Sequence, residues 1–347
     1  MTDTVFLRNQ WYMAGVSGEI ADGPVARMIC NEPIVIFRGA DGKAGIVVDR
    51  CPHRKAPLSS GEVVGNDIQC GYHGIRFGRD GACTHIPGGI SPPRNFSARA
   101  FPVVERHGFI YLWMGERAPD ESLLPDFFEN EDPAWTPVPG YLHIKANYEL
   151  MVDNILDLTH VVFVHKTTLA GGGVTDTPLE VEVKDNSISA RRMMYNVDTA
   201  PIYKAAKGLH GKIDRWQIFE WQPPSFVKVI LGAREAGTSD EATGSPTHVV
   251  VNGFTPETDK TMHYFWATSR PWALRDAKVN DLYKTMIDLA FGEDMSIVER
   301  QQRLIDSDTS GAPLMVFPFD RSGVAARRIV RRLLDEEAAQ RGKQAAE

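Results

Sequence analysis

Four residues of the types that hold metal clusters lie within 23 residues of one another in the first third of the chain: Cys51, His53, Cys70 and His73. They form two pairs, in the order C-x-H-x16-C-x2-H. A zinc finger groups its cysteines at one end and its histidines at the other, whereas this order lets each of two loops supply one cysteine and one histidine. That distribution suits a [2Fe–2S] cluster in which thiolates hold one iron and imidazoles the other. We therefore predict such a cluster, with a zinc site or four unrelated core residues as alternatives.

A second group of polar residues lies in "NYELMVDNILDLTHVVFVH", which has the pattern of one helix from about Tyr148 to His165. His160 and His165 are five residues apart, which separates them by roughly 140° around a regular helix. If both bind one metal ion, the helix must widen into a π-type turn or end within residues 161–164. The β-branched valines in that run favour such a distortion.

Two imidazoles and one carboxylate, with the other coordination positions open, form the triad that oxygen-activating Fe(II) sites use. The predicted carboxylate is Asp294 in "LAFGEDMSIVERQQRL", on a second helix, and Glu293 is the weaker choice because it points about 100° away. Asp157 is predicted to bond to His160 and relay electrons to the metal, with a solvated helix acid or cap as the alternative. Asn154 either orients the metal site or solvates the helix face.

The elements that must position these residues predict two domains, since 347 residues exceed the usual size of one hydrophobic core. Short strands with Asp-Gly turns predict an all-β domain over residues 1–116. An acidic, Pro-rich stretch predicts a linker over 117–140. Residues 141–347 predict an α+β domain: a helix, a mostly antiparallel sheet, and two closing helices over about 277–304 and 323–340.

Composition excludes several classes of function. A net charge of −7 argues against nucleic acid as a partner, because phosphate binding needs clustered Lys and Arg. No apolar run or leader predicts a membrane span or export, so we expect a cytoplasmic protein without a membrane partner. Four cysteines are too few for a disulfide framework in so long a chain. No G-x-G-x-x-G follows a strand, so a nicotinamide or flavin site is expected on a separate partner.

With "CPHRKAPLS" and "CGYHG" in the first domain and "NYELMVDNILDLTHVVFVH" and "FGEDMSIVERQQ" in the second, the chain resembles Rieske non-haem iron oxygenases over nearly its full length. The resemblance is to the oxygenase components of the vanillate O-demethylase type, with dicamba O-demethylase and toluenesulfonate methyl-monooxygenase as relatives. It implies a helix-grip catalytic domain and a homotrimer. It also implies that Asp157 bridges His160 of one subunit and His73 of its neighbour.

The resemblance further implies O2 as co-substrate and electrons that come from NADH through a separate flavin and iron–sulfur reductase. The predicted reaction is O-demethylation of a methoxylated, vanillate-like aromatic acid with release of formaldehyde. The alternatives are another Rieske oxygenation, such as ring hydroxylation or methyl-group or N-demethylating oxidation, and a ferredoxin-like protein without oxygen chemistry. An aromatic acid needs a polar anchor, for which Arg192, Arg215, Asn252 and His263 are candidates that the sequence does not rank.

Overall fold

The computed structural model describes residues 6–166, 169, 171–200, 203–204, 208–238 and 247–344. The chain divides into two compact units, one of residues 1–124 with 255–258 and one of residues 125–254 with 259–347. The division after residue 124 falls inside the predicted linker of residues 117–140. A strand begins within that linker, at Thr136.

The first unit is built from short antiparallel strands in three sheets, with the orders β1-β11-β10, β2-β3-β4-β9 and β5-β6-β7-β8. The strands are β1 (Trp11–Val16), β2 (Val25–Ile29), β3 (Glu32–Arg38), β4 (Ala44–Val48), β5 (Glu62–Val64), β6 (Asp67–Gln69), β7 (Arg76–Phe77), β8 (Cys83–His85), β9 (Ala100–Phe101), β10 (Val103–Arg106) and β11 (Phe109–Trp113). The prediction of an all-β first domain is confirmed.

Two hairpins of this unit turn at the Asp-Gly pairs, as the sequence predicts. Gly42 between β3 and β4 has a φ of 79°, and Gly81 between β7 and β8 has a φ of 80°. Both values lie in the left-handed region, which glycine adopts without steric cost. At Gly81 an added Cβ would lie 1.9 Å from the carbonyl oxygen of Ala98, so this turn also needs glycine for space.

The second unit is built on a seven-stranded antiparallel sheet in the order β12-β18-β17-β16-β15-β14-β13. The strands are β12 (Thr136–Ile144), β13 (Glu180–Lys184), β14 (Ser187–Asp198), β15 (Lys212–Gln222), β16 (Phe226–Glu235), β17 (His248–Pro256) and β18 (Met262–Arg270). Pro137 and Pro139, which favoured a linker in the sequence, lie on β12 at the edge of the sheet. Proline is tolerated there because its missing N–H need not pair with a further strand.

The helices of this unit whose bounds lie among the described residues are α1 (Tyr148–Leu156), α2 (Val161–Val164), α3 (Ala277–Ser307) and α4 (Arg321–Gln344). On β18, Tyr264 and Trp266 pack against Phe291 of α3, each with ring centroids 5.2 Å apart. One face of the sheet therefore packs against α3, and the predicted α+β class is confirmed. No helix among the described residues is long and apolar enough to cross a membrane.

The single helix predicted from Tyr148 to His165 is wrong, because the chain leaves helical geometry at Asp157 (φ −135°, ψ 101°). The carboxylate of Asp157 accepts a hydrogen bond from the N–H of Thr159 (3.0 Å) and so caps a new 3-10 turn, Leu158–His160. An aspartate competes with helix continuation in this way because its side chain offers the backbone another partner. Helix α2 follows and ends before His165.

Candidate metal centres

The two cysteine–histidine loops of the first unit have the same backbone hydrogen bonds. The N–H groups of Cys51 and Cys70 each donate to the carbonyl five residues further on, at 2.8 Å. The N–H four residues further on returns to the cysteine carbonyl, from Lys55 at 2.8 Å and from Gly74 at 3.0 Å. Lys55 and Gly74 both adopt positive φ, 60° and 70°. The loops are therefore two copies of one turn, and each presents one cysteine and one histidine.

The four side chains divide into an inner and an outer pair. Cys51 and Cys70 are each 1% exposed and belong to the core of the first unit, whereas His53 and His73 are exposed, with ring centroids 4.7 Å apart. Burial raises the pKa of the Cys51 thiol, and the neighbouring Cys70 raises it further. Two sulfur donors inside and two imidazole donors outside suit a binuclear cluster with one iron at each pair.

A single zinc ion does not suit these loops. Among the described residues, His160, His165 and Asp294 form the only group of three or more His, Cys, Asp or Glu donors that all lie within 4.8 Å of one another. The four donors of the cysteine–histidine loops thus do not converge on one point, as tetrahedral zinc requires. This geometry favours the predicted cluster over the zinc alternative.

The second centre brings together three residues that the sequence places far apart. Oδ1 of Asp294 lies 3.4 Å from Nε2 of His160 and 3.2 Å from Nε2 of His165. The two imidazole rings are nearly perpendicular, at 75°, with centroids 5.3 Å apart. The break at Asp157 makes this possible, because His160 and His165 no longer lie on one regular helix, where they would point about 140° apart.

Both histidines are oriented by hydrogen bonds at their other nitrogen. Nδ1 of His160 lies 2.8 Å from the main-chain carbonyl of Asp157, and Nδ1 of His165 lies 2.8 Å from Oε2 of Glu293. An Nδ1–H donated to these oxygens leaves the Nε2 lone pair free for a metal ion. Both Nε2 atoms then face the carboxylate of Asp294, in a set of donors that suits Fe(II).

The electrostatics of the two histidines differ. Burial lowers the pKa of His160, and the charge of Asp294 opposes this only in part. Burial also acts to lower the pKa of His165, but its hydrogen bonds and charge interactions with Asp294 and Glu293 outweigh it, so this pKa lies above the ordinary value.

The sequence did not reveal the role of Glu293, which it ranked only as a weaker metal ligand. In the structure Asp294 faces both Nε2 atoms, while Glu293 bonds to the back of His165. Adjacent residues on a helix point about 100° apart, so the two carboxylates approach one imidazole from different sides. In the sequence, the adjacent carboxylates of Glu293 and Asp294 on one predicted helix are the signal that could have indicated this arrangement.

Asn154 and Asp157 also lie at this centre. Nδ2 of Asn154 donates to Oδ1 of Asp294 at 3.1 Å, and its Oδ1 is buried without a hydrogen-bond partner in the described structure. Asp157 contacts His160 through its main-chain carbonyl rather than through its carboxylate, which instead accepts from Thr159 and Arg192. Asn154 thus touches a predicted metal ligand directly, and Asp157 supports one from its backbone.

A pocket opens beside His160, His165 and Asp294 and, counted with its mouth, contains about 510 Å³ of empty space. His248 and Asn252 of β17 also line it. Most of its wall is apolar and includes Ile155, Leu158, Val229, Leu231, Ile287 and Phe291. Ligand pockets are typically of this kind, largely apolar with a few polar groups that fix the orientation of the ligand.

Comparison with known proteins identifies the family of the chain. Residues 10–93 match the Rieske [2Fe-2S] domain, and residues 144–336, more than half of the chain, match the vanillate O-demethylase oxygenase C-terminal domain. The chain belongs to the vanillate O-demethylase family of Rieske oxygenases. It is a monooxygenase of the Rieske type, whose cofactors are a [2Fe–2S] cluster and a mononuclear non-haem iron, with O2 as co-substrate and electrons supplied by a reductase.

Individual relatives of this Rieske oxygenase match along nearly their whole length. The vanillate O-demethylase oxygenase subunit of a Pseudomonas species (strain HR199) is 35% identical over 96% of this chain and 97% of its own. The iron-sulfur subunit of the toluene-4-sulfonate monooxygenase system of Comamonas testosteroni is 34% identical over 96% and 98%. The crystal structure of dicamba monooxygenase bound to 3,6-dichlorosalicylic acid superposes with a TM-score of 0.91 at 32% identity, over 96% and 99% of the two chains. The predicted helix-grip fold is thereby confirmed.

Proposed function

We propose that this chain is the terminal oxygenase component of an O-demethylase that acts on a methoxylated, vanillate-like aromatic acid and releases formaldehyde. The observation that carries the proposal is the apolar pocket that opens directly on His160, His165 and Asp294. Its largely apolar wall suits a substituted aromatic ring. Relatives named for vanillate, dicamba and toluene-4-sulfonate act on aromatic anions, which supports the same substrate class here.

In this proposal His160, His165 and Asp294 hold the mononuclear iron, and Cys51, His53, Cys70 and His73 hold the cluster. When bound, these groups supply electrons one at a time and the activation of O2. The methoxy C–H bond becomes C–OH, and the resulting hemiacetal loses formaldehyde and leaves a phenol. One O2, two electrons and two protons are consumed, and the second oxygen atom leaves as water.

The residues of the chain position the substrate and the metal ligands. The apolar wall, which includes Ile155, Val229 and Phe291, excludes water from the ring. The carbonyl of Asp157 and the carboxylate of Glu293 fix the orientation of the two histidines. As further parts of the proposal, the carboxylate of Asp157 relays electrons, Asn154 orients Asp294, and the enzyme works as a homotrimer with a separate NADH-dependent reductase.

A single turnover tests the reaction. The holoenzyme is reduced chemically without O2, excess reductant is removed, and vanillate and O2 are added. We expect formaldehyde and protocatechuate in equal amounts, in proportion to the cluster content. Vanillate with a deuterated methoxy group provides the control, because the formaldehyde must then carry the deuterium.

The opposite result separates the alternatives. Oxidation of the cluster without formaldehyde would contradict O-demethylation of vanillate and favour another Rieske oxygenation. Dimethoxybenzoates and methyl-bearing aryl sulfonates are then the next substrates to test.

A further inference from the structure

The four candidate anchors for an aromatic acid differ in whether their hydrogen-bonding groups are already used within the protein. They are Arg192, Arg215, Asn252 and His263. Arg192 of β14 is 2% exposed and is already occupied. Its Nη2 donates to Thr159 at 3.0 Å and to the carboxylate of Asp157 at 3.4 Å, and its Nη1 donates to Gln217 at 3.3 Å. Its charge is therefore balanced by Asp157 within the protein.

Asn252 and His263 are occupied as well. Nδ2 of Asn252 donates to the carbonyl of Val227 at 3.0 Å, and its Oδ1 accepts from the hydroxyl of Tyr264 at 2.7 Å. Nδ1 of His263 lies 2.9 Å from the hydroxyl of Tyr141. His263 is adjacent to Tyr264 on β18, so it points to the opposite face of the sheet.

Arg215 differs from all three because it is buried without a counter-charge among the described residues. It is 3% exposed, and its Nε and Nη1 are buried with no hydrogen-bond partner in that part of the chain. Arg234 on the neighbouring strand is also buried, at 7% exposed, but it pairs with Asp214 at 3.5 Å. An unpaired buried cation is costly, whereas an anion with matching geometry removes much of the cost.

The register of the sheet places Arg215 on the face that forms the pocket. Gln217 lies opposite Leu231, and Leu231 lies opposite His248, so all three share one face. Leu231 and His248 line the pocket. Arg215 is two residues from Gln217 on β15 and therefore lies on the same face, one pair further along the strands.

Residues 169 and 171 also link the pocket wall to Arg215. Leu169 lines the pocket, and two residues later Gly171 lies so close to Arg215 that an added Cβ would be 2.3 Å from Nη1. The guanidinium also lies 5.4 Å from the ring centroid of Tyr203. Arg215 is thus held between the sheet and the loop that starts at the pocket wall.

We propose that Arg215, one cross-strand pair beyond the pocket-lining Leu231 and not itself part of the lining, binds the anionic group of the substrate, a carboxylate or sulfonate on an aromatic ring, at that end of the iron pocket. The planar guanidinium matches both anions because it can donate two parallel hydrogen bonds. The location of the site rests on the proposed function. The preference for an anion rests on Arg215 itself.

The test compares charged and neutral ligands of the same shape. 3-Methoxybenzoate, 3-methoxybenzenesulfonate and the neutral 3-methoxybenzamide are titrated calorimetrically into the oxidised holoenzyme. We expect Arg215→Met to weaken binding of the two anions about 10- to 100-fold and to change binding of the amide by no more than about threefold. Arg215→Lys retains the charge and is expected to recover part of the preference.

Arg234→Met is the matched control, because it removes a buried arginine from the other face of the same sheet. It should leave the ratio of anion to amide affinity unchanged. Thermal unfolding of each variant shows whether it is folded. Equal losses for anion and amide in Arg215→Met, no loss for either, or a wild-type enzyme that binds the anions no better than the amide would each overturn the inference.

The two proposals fail in different ways. Absence of formaldehyde with an Arg215-dependent preference for anions would contradict O-demethylation and leave the anion site standing. Formaldehyde production with equal affinity for anion and amide would do the reverse.

Discussion

The donors of the cluster loops lie within 23 residues, whereas the donors of the second centre come from positions 160, 165 and 294 on separate helical segments. Each cluster loop is closed by its own backbone hydrogen bonds, from the cysteine to residues four and five positions further on. The second centre instead joins segments that lie far apart in the chain. Its geometry depends on how α3 packs against the broken helix and the sheet, so a substitution on α3 should disturb the iron site without affecting the cluster.

Asp294→Asn is expected to give the largest difference between the effects on the two centres. The variant replaces the one buried carboxylate that faces both Nε2 atoms, so the mononuclear site should lose most of its iron and turnover should fall by about a thousandfold or more. The cluster should be retained, as judged by iron content and by the visible absorption of the cluster. Loss of the cluster would show that the centres are not independent. Unchanged O2-coupled turnover would show that Asp294 does not hold the catalytic iron.

A smaller effect on the same centre is expected from Glu293→Gln. The amide is a weaker acceptor for Nδ1–H of His165, so the affinity for Fe(II) should fall about 10- to 100-fold. Competition with a chelator measures this affinity directly. Asp288→Asn on the exposed face of the same helix, where Asp288 pairs with Lys284, is the matched control and should have no such effect. Equal affinities in all three proteins would show that Glu293 does not support the site.

The smallest effect concerns the equivalence of the cluster loops. Gly74 and Lys55 occupy the same left-handed position in the two loops, so Gly74→Ala should cost about 1 kcal/mol of stability, whereas Lys55→Gly should be nearly neutral. Denaturant unfolding, monitored by the loss of the visible absorption of the cluster, measures the stability of both variants. A large loss of stability for Lys55→Gly would mean that different interactions stabilise the two loops.

The cluster loops were also easier to predict from the sequence than the second centre. The order of Cys51, His53, Cys70 and His73 already indicated the cluster, since short loops close locally and leave few other arrangements. The helix from Tyr148 to His165 was predicted incorrectly at Asp157. Periodicity describes a continuous helix and contains no information on whether an aspartate side chain caps a new turn in its middle.

The sequence also identified Arg192, Arg215, Asn252 and His263 as polar residues of a predicted sheet without distinguishing them. Their roles differ because the register puts some on the pocket face and because Arg192, but not Arg215, has a carboxylate partner among the described residues. Cross-strand register and side-chain pairing are long-range properties that a local pattern does not contain.

By itself, the amino-acid sequence determined the cluster loops, the two-domain order, the strands and the residue types of the second centre, since these follow from short spacings and from the periodicity of strands and helices. The sequence already favoured Asp294 over Glu293 as the ligand, but only the tertiary structure decided that Glu293 supports His165 and that Arg215 has no counter-charge among the described residues. Those outcomes depend on packing between segments far apart in the chain, where a rotation of about 100° on one helix exchanges one carboxylate for another.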